Sequence, residues 1–152
     1  MYPGKWAAQF PDKPAAIDSL SREVLTYGEL DDRSNRLAQL FWDKGLRRED
    51  HVSIFMENNL RYFEVVWAAL RSGLYLTTVN RYLTDEEAAY IIDNSESRAT
   101  VTSKHLAEVA QALPAMAPDC PIWLMVDGTE EGYEAYEEAI AQYPAEPLAE
   151  QP

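Results

Sequence analysis

The spacing of apolar residues changes along the chain, and each change indicates a different kind of secondary structure. Two short segments, residues 15–18 and 23–25, flank the polar turn at residues 19–22, a pattern typical of a β-hairpin. From Thr26 onward, apolar residues recur every three or four positions, as they do along one face of a helix. The opening part of the chain is therefore expected to form a hairpin followed by a helix.

Both ends of this first long helix carry sequence signals. Thr26-Tyr-Gly-Glu29 is a capping box, in which the Thr26 hydroxyl accepts from the N–H of Glu29 while the glutamate reaches back to the N–H of Thr26. Gly45 followed by Leu46 fits a left-handed C-terminal cap with its hydrophobic contact. The helix face expected to be buried between these signals consists of Leu30, Ser34, Leu37, Ala38 and Phe41.

Three strand-plus-helix units follow, and a fourth apolar run begins another. Alternating strands and helices with short links predict an α/β fold: a layered, mostly parallel sheet flanked by helices, joined by right-handed crossovers and preceded by the N-terminal hairpin. The strands are predicted at residues 51–56, 74–79, 98–102 and 122–126.

The helices between these strands also show their limits in the sequence. Gly73 is expected to end the first, a second capping box at residues 84–87 starts the next, and Ser103 is expected to cap a third that ends before Pro114. The apolar faces predicted for the four helices are, in order, Phe63, Val66, Trp67 and Leu70; Ala88, Ile91 and Ile92; Leu106, Val109, Ala110 and Leu113; and Tyr133, Tyr136, Ile140 and Tyr143.

Length and composition bound the class of protein. A chain of 152 residues, 47 % of them hydrophobic, is large enough for one core, so we expect one folded unit over residues 1–143 and a proline-rich linker or frayed end over 144–152. The apolar runs are too short for a membrane span, no secretion signal is evident, and the single cysteine, Cys120, fits a reducing compartment. We therefore expect a cytoplasmic protein without a transmembrane segment.

The charge of −13 is unevenly distributed. All thirteen Lys and Arg residues lie at or before Lys104, and residues 105–152 contain ten acids with no Lys or Arg. Such a surface repels polyanions, so nucleic acid and anionic membranes are not expected partners.

Catalytic motifs are not evident in the sequence. It contains neither a glycine-rich phosphate loop nor a nucleophile elbow, so no catalytic residue is predicted. His51, at a strand start, and Cys120, which lacks basic neighbours, are interpreted as structural. Residues 127–138 imitate the spacing of a calcium loop, but a strand instead of a helix precedes them, so a solvated turn is favoured and no metal site is expected.

Read in order, several short motifs resemble the opening third of the AMP-forming acyl-CoA synthetases, the adenylate-forming superfamily. The resemblance runs from about residue 6 to about residue 103 and is closest to bacterial fatty-acid and aryl CoA ligases. Glu49 stands where the family usually has glycine. The matching segments are Phe10-Pro-Asp-Lys-Pro-Ala-Ala-Ile17, Leu25-Thr-Tyr-Gly-Glu-Leu30, Ser34-Asn-Arg-Leu-Ala38, Gly45-Leu-Arg-Arg-Glu-Asp-His-Val52, Met56-Glu-Asn-Asn59, Ala69-Leu-Arg-Ser-Gly73, Val79-Asn-Arg-Tyr-Leu-Thr84 and Tyr90-Ile-Ile-Asp-Asn-Ser-Glu96.

The resemblance implies an N-terminal part of an acid–CoA ligase. The complete enzyme is expected to activate a carboxylic acid with ATP and Mg²⁺ and to pass the acyl group from the adenylate to coenzyme A. The family's phosphate loop and its other catalytic segments do not occur in these 152 residues, so the chain alone is expected to be inactive. By the same resemblance, Lys104 and His105 are expected near the nucleotide end of coenzyme A.

Two other interpretations remain open at this level. One is a free-standing α/β module that binds a protein partner, and the other is a carrier with a small-ligand pocket at the strand ends. For the ligase interpretation the expected partner is the remainder of the same enzyme, and exposed apolar surface is expected to favour self-association.

Overall fold

The protein is described by a computed structural model that covers residues 3–149 and contains two sheets. Seven strands and seven α-helices alternate over most of the described chain. In chain order they are α1 (Pro3–Ala7), β1 (Pro14–Ile17), β2 (Val24–Thr26), α2 (Tyr27–Asp43), β3 (His51–Phe55), α3 (Arg61–Arg71), β4 (Tyr75–Val79), α4 (Asp85–Asn94), β5 (Ser97–Ser103), α5 (Ala107–Ala110), α6 (Leu113–Met116), β6 (Ile122–Val126), β7 (Glu134–Ala135) and α7 (Tyr136–Ala141).

The main sheet has five parallel strands in the order β4-β3-β5-β6-β7, and β1 and β2 form a separate antiparallel hairpin. The chain moves outward from β3 to β4, then crosses back past β3 to β5 and continues in the opposite direction. Right-handed crossovers therefore place α3 and α4 on opposite faces of the sheet. The predicted fold class and the hairpin are confirmed.

Two hydrophobic clusters correspond to these two faces. Val65 and Ala68 of α3 belong to the larger cluster, which also contains the buried side of α2. Ala88 and Ile92 of α4 belong to the second cluster, together with Cys120. The sheet is thus covered on both sides, which explains why its central strands consist almost entirely of buried residues.

Three predicted helix ends, the two capping boxes and the left-handed cap at Gly45, are confirmed by their hydrogen bonds. The Glu29 N–H donates to Thr26 Oγ1 over 3.2 Å, and the Thr26 N–H donates to Glu29 Oε2 over 2.9 Å. The box that starts at Thr84 makes the same two bonds. At the other end of α2, Gly45 has a φ of 92°, and the Leu46 N–H donates to the carbonyl of Phe41 over 2.9 Å. This is the left-handed cap that glycine favours.

The face predicted for α3 is half wrong: Val66 and Trp67 are partly buried against the hydrophobic clusters, but the other two residues are exposed. Phe63 and Leu70 are 45 % and 52 % exposed, whereas Glu64, together with Ala68 and Ala69, is fully buried. The two alanines allow close approach of neighbouring elements, and the charge of Glu64 is tolerated because partners from other helices surround it. Trp67 is half-buried against a small cluster beside the hairpin.

The segment after β5 also differs from the prediction. Ser103 does not cap a helix with its side chain, because its hydroxyl donates to the carboxylate of Glu57. The expected single helix is a 3₁₀ turn, Lys104–Leu106, followed by α5 and α6, and Pro114 lies in the first turn of α6. Proline fits there because the first-turn N–H groups have no partner within a helix. The short strand β7 was not predicted.

Residues 144–149 run beside α2. Gln39 donates to the carbonyl of Glu146 over 2.9 Å, Arg36 donates to the carbonyl of Tyr143, and Leu148 is buried in the larger cluster. Whether a domain boundary lies at residue 143 stays a prediction, and residues 150–152 lie outside the described part.

Candidate functional site

The reversal of strand order creates a crevice between β3 and β5. These neighbouring strands continue to opposite faces of the sheet, so the connections that leave their carboxyl ends diverge. Open parallel sheets bind ligands at such a switch point, outside the carboxyl ends of the strands. Residues that follow β3 and β5 are therefore the first candidates for a functional site.

Polar side chains from three connections meet at this edge, and we name Glu57, Asn59, Ser103 and Asp127 the carboxyl-edge cluster. Asn59 Nδ2 donates to Glu57 Oε1 over 3.3 Å and to Asp127 Oδ2 over 3.2 Å. Ser103, which is buried, donates its hydroxyl to the other oxygen of Glu57. Asn59 Oδ1 accepts from the Arg61 N–H at the start of α3. The cluster thus fixes the loops after β3, β5 and β6 relative to one another.

Lys104 and His105 lie directly beside this cluster, and both are exposed. The Lys104 ammonium donates to the Thr129 carbonyl over 3.0 Å and forms an ion pair with Glu130. Its aliphatic part runs against Gly128, where an added Cβ would lie 3.2 Å from the lysine Cδ. The structure therefore gives Lys104 a role in holding the loop after β6, and leaves the expected contact with coenzyme A as a prediction.

A cleft of about 1040 Å³ opens next to the cluster, between the hairpin and the loops that follow β3 and β4. Ile17, Leu60 and Phe63 supply apolar lining, while Asn80 and Arg81 supply polar groups. The Arg81 guanidinium lies 4.4 Å from the centre of the Tyr82 ring, which holds the cation in place. A lining of this kind suits a ligand with both apolar and polar parts.

A buried ionic network is centred on Glu64 of α3. Glu64 is fully buried, and Oε1 lies 3.3 Å from Arg33 Nη1 and 3.0 Å from Arg61 Nε. Tyr136 donates its hydroxyl to Glu64 Oε2 over 2.8 Å, and Arg61 also pairs with Glu23 of the hairpin. The network therefore joins α2, α3 and α7 to the hairpin. Sequence reasoning missed it, although a single glutamate among apolar helix residues was the available signal.

Burial dominates the proton affinities in this network. The pKa of Glu64 lies above its ordinary value because burial disfavours the charge, and the two arginines and Tyr136 only partly offset that effect. Burial also raises the pKa of the Tyr136 hydroxyl well above 10, and the neighbouring Glu64 charge adds to the rise. Tyr136 is therefore a permanent hydrogen-bond donor.

The remaining residues singled out from the sequence have structural surroundings. His51 lies at the start of β3 with its ring 5.0 Å from that of Tyr75. Cys120 is buried, and burial raises its thiol pKa despite a contact with Thr100. In residues 3–149 no group of three or more His, Cys, Asp or Glu side chains is placed to hold a metal ion. None of the described helices is long and apolar enough to span a membrane.

A doubly wound parallel sheet with a polar cluster and a cleft at its carboxyl edge is the arrangement in which α/β proteins generally bind ligands. The family model described as AMP-binding enzyme matches residues 4–152, and the chain belongs to this family. The predicted family is thus confirmed.

Two curated relatives and one solved structure illustrate the similarity. The medium/long-chain-fatty-acid–CoA/3-oxocholest-4-en-26-oate–CoA ligase of Mycobacterium tuberculosis is 32 % identical over 127 residues, which are 83 % of this chain and 23 % of that protein. The 3-oxocholest-4-en-26-oate–CoA ligase of Rhodococcus rhodochrous is 32 % identical over 133 residues, covering 84 % and 24 %. The anthranilate CoA ligase AuaEII, solved with anthranoyl-AMP, superposes with a TM-score of 0.84 at 16 % identity, covering 98 % of this chain and 29 % of that one.

The chain therefore spans about a quarter of the length of the curated relatives it matches. An acid–CoA ligase fragment agrees with these similarities, whereas the alternative of a free-standing interaction module receives no support from them.

Proposed function

We propose that this chain supplies the N-terminal part of a ligase that joins a fatty or aryl carboxylic acid to coenzyme A through an acyl-adenylate. The observation that carries the proposal is the family match over residues 4–152 together with relatives that are named as fatty-acid–CoA ligases. The cleft beside the carboxyl-edge cluster gives the chain a surface on which a ligand with both apolar and polar parts can bind. In the complete enzyme, ATP and coenzyme A are the expected co-substrates and Mg²⁺ is the expected metal ion. The expected partner of this chain is the remainder of the same enzyme.

The chemistry requires groups that the chain does not contain. A carboxylate is a poor electrophile, and adenylation gives it a leaving group while cations offset the phosphate charge. Arg81 lines the cleft and Lys104 follows the cluster residue Ser103 in the chain, and neither cation belongs to a phosphate-binding loop. The chain's own contribution is therefore to shape and hold the binding surface. A cytoplasmic location is part of the proposal, and the buried free thiol of Cys120 agrees with a reducing compartment.

The proposal is tested on a polypeptide that continues beyond residue 152 into a phosphate loop. We expect it to form acyl-hydroxamates from fatty or aryl acids with ATP and hydroxylamine, and acyl-CoA when coenzyme A replaces hydroxylamine. The 152-residue chain, assayed in parallel, is expected to form neither product. Failure of the longer polypeptide to release pyrophosphate with any acid of a broad panel would refute the proposal.

The expected role of Lys104 and His105 near coenzyme A is tested separately in the same longer polypeptide. A Lys104→Ala change is expected to raise KM for coenzyme A while KM for the acid is unchanged. Glu130→Ala is the matched control, because it breaks the same ion pair but leaves the lysine in place. If both variants change thermal stability alike and neither changes KM for coenzyme A, Lys104 only holds the loop.

A further inference from the structure

The outer edge of β4 has no strand partner among residues 3–149, because β4 ends the sheet and pairs only with β3. Natural sheets protect such edges with lysine, proline, a bulge or a covering segment. β4 reads Tyr-Leu-Thr-Thr-Val, which has no charge and no proline, and its pairing with β3 contains no bulge. This edge can therefore pair with another strand, and because Thr78 and Val79 at its carboxyl end also line the cleft, such pairing would compete with a ligand in the cleft.

The backbone groups that face outward follow from one hydrogen bond. The Tyr75 N–H donates to the carbonyl of Asp50 over 2.9 Å, so the backbone N–H and C=O groups of Tyr75 point toward β3. Successive residues of a strand direct their backbone N–H and C=O groups to opposite sides. The backbone groups of Thr77 and Val79, two and four residues after Tyr75, therefore also point toward β3. Leu76 and Thr78 then present their N–H and C=O groups outward.

We propose that β4 pairs antiparallel with β4 of a second copy of this chain, across a two-fold axis at Thr77. In this register Leu76 of each copy lies opposite Thr78 of the other, so the outward-facing residues of both copies meet as hydrogen-bonded pairs. Thr77 lies opposite its own counterpart as a non-hydrogen-bonded pair, in which side chains approach most closely. Threonine opposite threonine, and Tyr75 opposite Val79, are favourable cross-strand pairs.

The charges at the ends of the strand are complementary in the same register. Arg81 of one copy comes opposite Gly73 of the other, and Glu49 lies beside Gly73, since its N–H donates to the Gly73 carbonyl over 2.8 Å. Glu49 is exposed. Each end of the paired strands thus brings an arginine of one copy toward a glutamate of the other, while the centre of the contact carries no charge.

The helices beside the edge add to the contact. A two-fold axis perpendicular to the sheet places both α3 helices on one face, antiparallel to each other, and α3 exposes Phe63 and Leu70 at opposite ends. On the other face the acidic α4 helices approach, with exposed Tyr90 between their acids. Because each copy carries −13, added salt is expected to strengthen the dimer by screening this repulsion.

The experiment uses Thr77, which in the proposed dimer lies opposite Thr77 of the second copy. Sedimentation equilibrium of the 152-residue chain at physiological salt is expected to show a concentration-dependent dimer. Thr77→Lys and Thr77→Glu, made separately, are each expected to raise the dimer dissociation constant by about fivefold or more, because like charges then face each other. An equal mixture of the two variants is expected to recover the dimer, because lysine then faces glutamate.

Ser21→Lys, at the tip of the hairpin, is the matched control for the added charge and should leave the dimer unchanged. Circular dichroism of each variant establishes that it is folded, and recovery on mixing establishes that both variants remain competent to pair. A wild-type chain that stays monomeric at every concentration would overturn the proposal. So would two variants that dimerise as the wild type does, or that fail to recover when they are mixed.

Discussion

The hydroxyl of Tyr136 is expected to contribute more to the free energy of unfolding than the hydroxyl of Tyr133, because Tyr136 donates to a carboxylate and Tyr133 donates to a neutral carbonyl. Tyr136→Phe removes only the donor to Glu64 Oε2, which it approaches to 2.8 Å, and leaves the fully buried ring in place. A hydrogen bond to a charged group contributes roughly 1.5–3 kcal/mol, and the carboxylate loses a partner that water cannot replace. For a domain of this size, about 2 kcal/mol corresponds to a fall in Tm of roughly 4–8 °C.

Tyr133→Phe is the matched control. Its hydroxyl is buried and donates to a neutral acceptor, the carbonyl of Ala110, over 2.7 Å. A neutral bond contributes roughly 0.5–1.5 kcal/mol. Urea unfolding followed by circular dichroism at neutral pH should therefore rank Tyr136→Phe as the more destabilised variant.

The difference between the two variants should also depend on pH. Since the pKa of Glu64 in the folded chain lies above its ordinary value of 4.5, its protonated form is favoured on folding, and stability is lost as pH rises through the raised pKa. Tyr136 lowers that pKa, so Tyr136→Phe raises it further and increases the loss at neutral pH. Below pH 4.5 the carboxyl is neutral in both proteins, and the excess destabilisation should shrink. Equal costs for the two variants at neutral pH, or a difference that does not change with pH, would refute the reasoning.

Two further predictions concern the helix caps and the thiol. Thr26→Ala and Thr84→Ala each remove a hydroxyl that accepts a first-turn N–H, so each should lower the free energy of unfolding by about 1 kcal/mol in urea titrations; a much smaller loss at both sites would contradict the capping geometry. Cys120 should react with a thiol reagent far more slowly in the native chain than in urea, because it is buried and its pKa is raised. Comparable rates in the two states would show that the second cluster opens readily.

The sequence could predict features that depend on near neighbours. A capping box needs only four consecutive residues, and both boxes form as predicted at Thr26 and Thr84. The left-handed residue at Gly45 follows from the absence of a Cβ, which makes that conformation accessible. Three of the short apolar runs became the central strands β3, β5 and β6, because a sheet covered on both faces buries nearly every residue of such a run.

The face of α3 could not be predicted in this way. Its sequence offers one stripe with Phe63 and Leu70 and another with Glu64 and Ala68, and periodicity alone favours the more apolar one. The second stripe is buried because Arg33, from α2, and Tyr136, from α7, compensate the charge of Glu64. Those partners lie 31 and 72 residues away along the chain, so no local pattern contains them.

The amino-acid sequence by itself determined where α2 begins and ends, where α4 begins and where the strands β3 to β6 lie, and the order of its motifs indicated the family. Those properties depend on backbone geometry and burial within short segments. Only the tertiary structure decided which face of α3 is buried, brought Glu57, Asn59, Ser103 and Asp127 to one edge, and left the outer edge of β4 without a strand partner among residues 3–149. These depend on strand order, which places residues distant in the chain within hydrogen-bonding distance of one another.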